Sequence, residues 1–566
     1  MTARMVLPRT FSALLGAVAL AFLAGCTETT TEYVERPQFN PPPDSVGGYM
    51  GYYTASTKQT TCGNCHVSYQ GQWINTAHAG AYEDLVNSGH AASYCYGCHT
   101  VNALGNSGWI SPDSLNQGYD AVQSTAYHDV QCESCHGAGY THVSNPLPNN
   151  HPLARAGIYG LNGTTKDTSA SCGGCHSGEH APFVEQWSQT GHADSAANAS
   201  QAANASGGCP ACHEGRTALA RFNGDPSHYV EKDSVGNTTT LPPATCAVCH
   251  DPHGSPYEGQ LRLPVDVPDL STNLCMNCHF RGTTPSTSFS NSTATTTKRG
   301  SHASQGPVLL GTQAGWIPPN FVYDTNDVYT SHASTRNPRL CAGCHVNAFT
   351  VTDSLTGAFV LESVGHLFSP DPCLDGSGIP VEDNSCAYTP STTRNWSACT
   401  ASGCHASADV ASSALINERQ LIQNLANQLW NDLNPTLNSG GEPYMDAGDS
   451  GALVYLLFTA GNPTVNGTQA FNGNDNKLSP AEGALWNAMM LAENLYGHND
   501  GSYGVHNPFF YEALMSASIA AVYDEYGAFL PSPPSPQVQA IMQKALSRPG
   551  VRYTPRSGQL TLGGAR

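Results

Sequence analysis

The chain has 566 residues, and its 23 Lys and Arg against 43 Asp and Glu give a formal net charge of −20. Such an acidic balance argues against a nucleic-acid partner, because negative side chains repel phosphate. The 56 glycines, 38 prolines and only 12% charged residues predict long loops. The 21 cysteines and 23 histidines are far above ordinary usage. Something other than a large aliphatic core must therefore hold this chain together.

The N-terminus resembles an export signal. The apolar run Phe11–Leu23 is too short to cross a bilayer and is typical of a secretory signal. It ends in Leu23-Ala24-Gly25-Cys26, which resembles the bacterial lipoprotein signal. That resemblance implies lipidation at Cys26 and, because Thr27 rather than Asp follows, an outer-membrane lipoprotein that faces the periplasm or the cell surface. The alternative is a plain signal peptide with an incidental cysteine.

Sixteen cysteines fall into eight Cys-x-x-Cys-His units. They are Cys62-Cys65-His66, Cys95-Cys98-His99, Cys132-Cys135-His136, Cys172-Cys175-His176, Cys209-Cys212-His213, Cys246-Cys249-His250, Cys275-Cys278-His279 and Cys341-Cys344-His345. Thiols at positions i and i+3 lie on one side of a helical turn, so both can bond the vinyl groups of one haem while the next residue, His, binds the iron. Structural zinc, redox dithiols and disulfides do not explain the histidine after every second cysteine. The units predict covalent haem c.

A ninth unit departs from this spacing. Cys399 and Cys404 are separated by four residues and are followed by His405. We predict an expanded haem site here, for a total of nine haems; a disulfide or two free thiols are the alternatives. Cys373 and Cys386 precede no histidine and lie in a loop rich in Gly, Pro and Asp, for which we predict a disulfide.

The spacing of the units divides the chain. We predict a signal peptide at 1–25, a tether at 26–49, a seven-haem array at 50–300, a two-haem extension at 301–406 and a haem-free tail at 407–566. The first seven units follow one another at steps of about 30 to 40 residues, as in a repeat. The fold class is therefore mainly α-helix and irregular loops, an extended haem array with little strand and a C-terminal α-helical region.

Three helices are predicted in the tail. Apolar residues recur at helical spacing from Ser412 to Leu433. Ser479-Pro480-Ala481-Glu482 is typical of a capping box and opens a helix that we expect to reach about Tyr496. Pro508 begins a third helix that we expect to end near Tyr526.

Histidine is the predicted sixth ligand of the irons. Methionine is scarce outside the tail, whereas 14 histidines remain after the nine proximal ones. Nine of these 14 are distal candidates, because they occur in Ser/Thr-(x)-His-Ala segments, closely follow a haem unit, or lie between two tail helices. They are His78, His90, His142, His180, His192, His253, His302, His332 and His506. For each one a surface or merely hydrogen-bonded histidine is the alternative, which we prefer for His128, His151, His228, His366 and His498.

Three segments carry a resemblance to known cytochromes. The segment from Cys132 to Val143 resembles tetrahaem electron-carrier cytochromes c and their larger relatives. Cys246–His253 together with Leu274–His279 resembles the doubled Cys-x-x-Cys-His domain, and Asp500–Pro508 resembles the distal-ligand segment of larger multihaem cytochromes. The expanded ninth unit and residues 281–340 match none of these patterns.

Two functions fit this resemblance. The first is an electron conduit in respiratory or extracellular electron transfer, with redox proteins or extracellular acceptors as partners, attachment to the membrane through a lipid anchor, and the option of self-assembly into a filament. The second is a multihaem oxidoreductase for a small nitrogen or sulfur oxyanion. We favour the conduit and no enzyme activity, because none of the six lysines follows a cysteine as the Cys-x-x-Cys-Lys haem of nitrite reductases would require.

Overall fold

A computed structural model describes much of the chain from residue 47 onward. The described residues are 47–102, 117–152, 172–193, 202–204, 208–222, 224, 242–280, 285–287, 289, 301–312, 314–325, 332–353, 355–381, 386, 393–433, 444–491 and 500–556. All of them belong to one compact unit, Pro43–Arg566. The predicted signal peptide and Cys26 lie outside the described residues, as do His228 and His498.

The haem units are built on very short helices. The described helices before the tail are α1 Val67–Trp73, α2 Ala81–Asn87, α3 Tyr96–His99, α4 Cys132–His136, α5 Tyr140–Ser144, α6 Cys172–Cys175, α7 Phe183–Trp187, α8 Pro210–His213, α9 Gly215–Arg221, α10 Cys246–Cys249, α11 Gln305–Leu310, α12 Cys341–His345 and α13 Ser397–Thr400. Several contain little beyond one Cys-x-x-Cys-His unit. One helical turn is all that the paired cysteines need, so nothing in the sequence extends these helices further.

The described strands form five two-stranded antiparallel sheets. They pair β1 Tyr52–Thr54 with β2 Gln59–Thr60, β3 Phe321–Tyr323 with β10 Val551–Tyr553, β4 Phe349–Thr352 with β5 Phe359–Ser363, β6 Cys373–Leu374 with β7 Pro380–Val381, and β8 Thr464–Val465 with β9 Thr468–Gln469. A disulfide joins Cys373 to Cys386 with an S–S distance of 2.02 Å, which confirms the predicted pairing.

The tail contains the longest helices of the described chain. They are α14 Ala408–Leu429, α16 Pro480–Leu491, α17 Pro508–Tyr526 and α18 Pro536–Leu546, and the short helix α15 Ala452–Val454 is followed by a π-helical turn at Tyr455–Thr459. The capping box at the start of α16 is formed as predicted: Glu482 N donates to Ser479 Oγ, and Ser479 N donates to Glu482 Oε2, both at 3.0 Å. The first tail helix begins four residues earlier than predicted, because the side chain of Ser407 caps it by accepting from Val410 N.

Helix α17 is the centre of the tail. Nearly all of its side chains are buried, and it packs against α14, α16 and α18. The segment 301–325, which precedes the last two haem units, also joins this core. Val308, Ala314 and Phe321 lie in the same hydrophobic cluster as the tail helices, and Asn487 Nδ2 donates to Trp316 O at 2.8 Å. The tail is therefore anchored to the polypeptide that leads into the last haem units.

The architecture is mainly helical and irregular with few and short strands, which confirms the predicted fold class. Within the described part of the chain, no helix combines the length and the apolar character needed to cross a bilayer.

Candidate haem-binding sites

A common backbone turn shapes the haem units. The amide N–H of the histidine donates to the carbonyl of the first cysteine, which brings the imidazole back over the two thiols. Distances of 2.8 to 3.1 Å are found for this bond in units one, four, five, six and seven, at His66, His176, His213, His250 and His279. The spacing Cys-x-x-Cys-His thus produces one compact turn that carries the two thiols and the imidazole.

The expanded ninth unit keeps the same bond. His405 N donates to Cys399 O at 3.2 Å although two further residues lie between them. The 3₁₀ turn Ala401–Gly403 absorbs these residues, and Gly403 adopts a positive φ of 71° that favours glycine. The first cysteine and the histidine therefore hold the same hydrogen-bonded relation as in the standard units.

Seven proximal histidines face a second imidazole. Their ring centres are 6.1 to 6.5 Å apart in the pairs His66–His142, His78–His176, His136–His253, His192–His279, His213–His302, His250–His366 and His345–His506. Two imidazoles bound on opposite sides of one metal, with metal–nitrogen bonds of about 2 Å, place their ring centres roughly 6 Å apart. The two histidines of each pair would therefore hold a haem iron between them, next to the cysteines of the unit.

Six of the nine predicted distal histidines lie in these pairs. They are His78, His142, His192, His253, His302 and His506. A seventh, His332, lies close enough to His405 of the ninth unit to interact with it electrostatically, and its Nδ1 bonds to Val505 O at 2.5 Å.

In the described part of the chain, the two remaining distal candidates lie opposite no proximal histidine. His90 is exposed, and its backbone N–H donates to Ser88 Oγ. The ring of His180 stacks on Phe359 with 5.0 Å between the ring centres. Both arrangements correspond to the alternative of a surface histidine.

His366 faces the proximal His250, although its sequence context favours a surface position. It follows Gly365, belongs to no Ser/Thr-His-Ala segment and comes 116 residues after His250, yet the two rings lie 6.2 Å apart. Its Nδ1 bonds to Val364 O at 3.1 Å, which fixes the ring. Among the described residues, neither His128 nor His151 faces a proximal histidine. His128 stacks on Tyr82, and His151 bonds to Pro148 O with its ring centre 6.5 Å from that of the distal His142.

The second unit differs from its neighbours. His99 Nδ1 bonds to Ala81 O at 2.7 Å, which orients the ring in the usual way. Among the described residues, however, no imidazole faces His99 at the spacing found in the seven pairs.

Burial favours the neutral form of three paired imidazoles. Desolvation, with smaller contributions from neighbouring histidines, lowers the pKa of His176, His192 and His345 to about 4. A neutral imidazole is the form that binds a metal. The ring nitrogens that face away from the partner imidazole are held by backbone carbonyls at His250, which bonds to Gly259 O, and at His345, which bonds to Phe368 O.

A buried carboxylate fixes the third unit. Glu133, between Cys132 and Cys135, accepts hydrogen bonds from the amides of Met50, Gly51 and Gly139 at 2.7 to 2.9 Å. Desolvation outweighs these three donors and raises the pKa of Glu133 to about 7. The segment Tyr49–Tyr52 at the start of the array is thereby tied to a haem unit about 80 residues later.

Cysteines of different units contact one another in a defined order. Side-chain contacts join Cys62 to Cys132, Cys98 to Cys175, Cys172 to Cys246, Cys212 to Cys278, and Cys275 to Cys341. Three more pairs of units interact electrostatically through Cys135 and Cys175, Cys249 and Cys278, and Cys344 and Cys399. Units one, three, four, six, seven, eight and nine therefore form a line, with unit two beside unit four and unit five beside unit seven.

This line contains a repeat of three units. Trp73 follows the first unit and donates its indole N–H to Val130 O, two residues before the third unit; Trp187 follows the fourth unit and donates to Ala244 O, two residues before the sixth. Both bonds measure 2.9 Å and span 57 residues. The cysteine contacts repeat with them, since unit four meets unit six as unit one meets unit three. The even spacing of single units in the sequence conceals this larger period.

Comparisons with protein families agree with these sites. The family model described as "Cytochrome c554 and c-prime" matches residues 61–137, which hold the first three units. The model described as "Doubled CXXCH motif" matches residues 243–283, which hold units six and seven. Searches among curated proteins and among solved structures returned no significant match.

The two matches support an electron-transfer role and haem c as the cofactor. They fall on five of the standard units, and the same local turn recurs in units outside the matched ranges. Together these findings support a multihaem c-type cytochrome.

Proposed function

We propose that this protein is an electron conduit that carries nine haems c and passes electrons along its length in respiratory or extracellular electron transfer. The observation that carries the proposal is the set of seven imidazole pairs 6.1 to 6.5 Å apart. A haem with both axial positions occupied by histidine has no free position for a substrate, so it is suited to electron transfer.

The order of the units supports conduction along the chain. Bound haem c supplies an iron that alternates between two oxidation states. The chain's own residues hold neighbouring attachment sites side by side, because cysteines of successive units in the line lie in contact or close to it. The imidazole pairs also join distant parts of the sequence, since His78 faces the fourth unit and His192 the seventh. We therefore expect a rigid arrangement with little change on reduction.

The location and partners are part of the same proposal. Cys26 would carry the lipid anchor of an outer-membrane protein, and the segment 26–49 would separate the haems from the membrane. Redox proteins or extracellular acceptors would exchange electrons with the two ends of the line. Substitution of Cys26→Ser should move the protein from the membrane fraction to the soluble fraction; sedimentation with membranes after a high-salt wash would contradict the anchor.

Two measurements test the cofactor content. The intact mass of the mature protein should exceed that of the chain by nine haems, and a mass increment of eight would remove the expanded unit from the proposal. Electron paramagnetic resonance should show low-spin signals from nearly all haems. A large high-spin signal, with ready binding of cyanide, would contradict the conduit.

The variant His506→Ala tests the pairing at the eighth unit. It should convert one haem to high spin without changing the number of haems, because His506 supplies the second imidazole to His345. His90→Ala is the matched control: His90 is exposed and faces no proximal histidine, so the spectrum should stay that of the wild type. An unchanged spectrum in His506→Ala would remove His506 from the ligands.

The second unit supports a second candidate function. Because no described imidazole faces His99, an exchangeable position at this unit would suit reduction of a small nitrogen or sulfur oxyanion. A multihaem oxidoreductase would show a high-spin signal that nitrite perturbs and would turn over nitrite or sulfite with a reduced dye. Wild-type protein without either property would exclude this candidate.

A further inference from the structure

The loop Asp500–Asn507 serves the last two haem units together. Its His506 faces His345 of the eighth unit at 6.1 Å. Its Val505 carbonyl bonds to Nδ1 of His332, the histidine that lies near His405 of the ninth unit. The tail thus places one histidine and orients another at the end of the line.

Asp500 in this loop holds the second ring nitrogen of His506. Its Oδ1 lies 2.7 Å from His506 Nδ1, and its side chain is completely buried. The other carboxylate oxygen accepts from the hydroxyl and the amide of Ser502, so the carboxylate is fixed in place. Among the described residues, His506 is the only ion-pair partner of Asp500.

At the same nitrogen, three other distal histidines have neutral partners, which bond more weakly than a carboxylate. Neutral oxygens of Asn150, Val505 and Val364 hold His142, His332 and His366, respectively. Among the described residues, a second carboxylate also faces a distal candidate: Asp251 Oδ1 lies 3.5 Å from His253 Nδ1. That carboxylate is partly exposed, and Arg262 forms an ion pair with it at 2.8 Å, which balances its charge.

We propose that Asp500 is a positioning residue that sets the reduction potential of the eighth haem below that of the other haems. This rests on the proposed function, in which His506 is a ligand of that haem. A carboxylate that accepts from the far nitrogen of a ligating imidazole makes the imidazole more basic, and a more basic ligand favours the oxidised iron. The carboxylate of Asp500 is buried and, among the described residues, forms no ion pair with Lys or Arg, so its charge would act in the same direction.

The proposal gives the tail a role beyond packing. A haem of low potential next to the last unit would be the most difficult of the line to reduce. It would therefore limit the rate at which electrons reach the ninth haem, and electrons would accumulate on the units before it.

The experiment is a redox titration of the full-length holoprotein with the variant Asp500→Asn. Asparagine keeps an oxygen acceptor of the same size but removes the charge. The haem that is reduced last in the wild type should become at least about tenfold easier to reduce, which is about 59 mV for a one-electron couple. Asp251→Asn is the matched control and should shift its haem less than threefold, because Arg262 already balances Asp251.

The spectra and haem count decide how each result is interpreted. Low-spin signals and nine haems retained in Asp500→Asn, together with the upward shift, support the proposal. An unchanged titration curve, or an equal shift in Asp251→Asn, overturns it. Loss of the low-spin signal or of haem would show that Asp500 only supports the fold of the loop, which also overturns it. Failure of the proposed function is distinct, because the wild type would already show a high-spin eighth haem that does not respond to His506→Ala.

Discussion

The haem array and the tail hold their residues together in different ways. In the described array and the segments next to it, the buried apolar side chains form five clusters of three or four residues each. The tail and the segment 301–325, with Phe289, share one cluster of 37 buried residues. Helix α17 lies at its centre with few exposed side chains. A hydrophobic core of that size can support a domain, whereas clusters of three or four residues cannot.

The difference shows where the stability of the array must come from. Its histidine pairs and cysteine turns join segments far apart in the sequence, such as His78 with His176 and His250 with His366. With haem bound, each pair would become a cross-link through iron, and each porphyrin would add a large apolar surface. Metal binding then contributes directly to the free energy of folding, as in other proteins that fold around a metal site.

The strongest test of this comparison is to produce the chain without attached haem. We expect the array to remain unfolded and the tail to fold with the segment 301–325. Limited proteolysis followed by mass spectrometry should then show cleavage throughout residues 50–280 and protection of the sites within α14, α16 and α17. The holoprotein is the control and should resist cleavage in both regions. Equal protection of the array in the haem-free chain would contradict the comparison.

The next largest effect is expected from a cavity in the tail core. Leu514 lies on α17 and is completely buried, so Leu514→Ala should lower the free energy of unfolding of the tail by about 2–5 kcal/mol. Chemical denaturation followed by far-ultraviolet circular dichroism measures this change. Leu433→Ala, at a side chain with 54% exposure, is the matched control and should change it by less than about 0.5 kcal/mol. Haem spectra below the transition should be the same in all three proteins.

The sequence predicts local features of both regions well, but it does not predict contacts between distant segments, and the reason is physical. Each Cys-x-x-Cys-His unit is local, since its two thiols and its imidazole lie within one turn. The tail helices likewise show local periodicity and caps such as Ser479 and Glu482. The helix from Pro508 to Tyr526 was predicted with its observed bounds. The pairing of β3 with β10, by contrast, joins residues more than 200 positions apart and leaves no local pattern.

The same difference between local and long-range contacts explains which distal histidines can be identified from the sequence. His142 and His253 were found because they follow a haem unit closely, and His506 because it lies between two capped helices. His366 has no such context, and its position opposite His250 depends on the path of β4 and β5 and the loop after them. His180 has the favourable local context yet stacks on Phe359 of β5. Local sequence can therefore nominate a distal histidine, but only the fold assigns it to a unit.

A smaller effect is expected from pH in the tail. Burial, with a smaller contribution from Glu512, raises the pKa of Glu418 on α14 to about 8, whereas Arg548 and Lys544 lower it. In the folded tail Glu418 therefore keeps its proton at pH values where the unfolded chain has released it. The stability that this proton gives is complete below about pH 4.5 and is lost as the pH rises to about 8.

The variant Glu418→Gln should abolish that loss. Between pH 5 and pH 8 the wild-type free energy of unfolding should fall by up to about 1.4 kcal/mol for each pH unit because of this group, and the variant should not show this slope. Denaturation curves at several pH values provide the measurement. Glu83→Gln in the array is the matched control, because the Glu83 side chain is 71% exposed, and it should keep the wild-type slope. The same slope in Glu418→Gln and wild type would assign the pH dependence to other groups.

The smallest effect is expected at the junction of the two regions. Ser407 follows His405 of the ninth unit by two residues and caps α14, because its hydroxyl accepts from Val410 N at 3.2 Å. Ser407→Ala should lower the free energy of unfolding of the tail by about 0.5–2 kcal/mol, the usual effect of losing a cap. Ser413→Ala, an exposed position in the same helix, is the matched control and should be neutral or slightly stabilising, since alanine is the better helix former.

The haem spectrum of Ser407→Ala then distinguishes the two regions. If the turn from Cys399 to His405 is held by its own hydrogen bond and by the attached haem, the ninth haem should keep its low-spin signal although the first turn of α14 is weakened. Electron paramagnetic resonance of the variant measures this directly. If the ninth signal changes with the cap, the expanded unit depends on the tail for its geometry, and the boundary between a region built on haem and a region built on a hydrophobic core must be placed before Cys399.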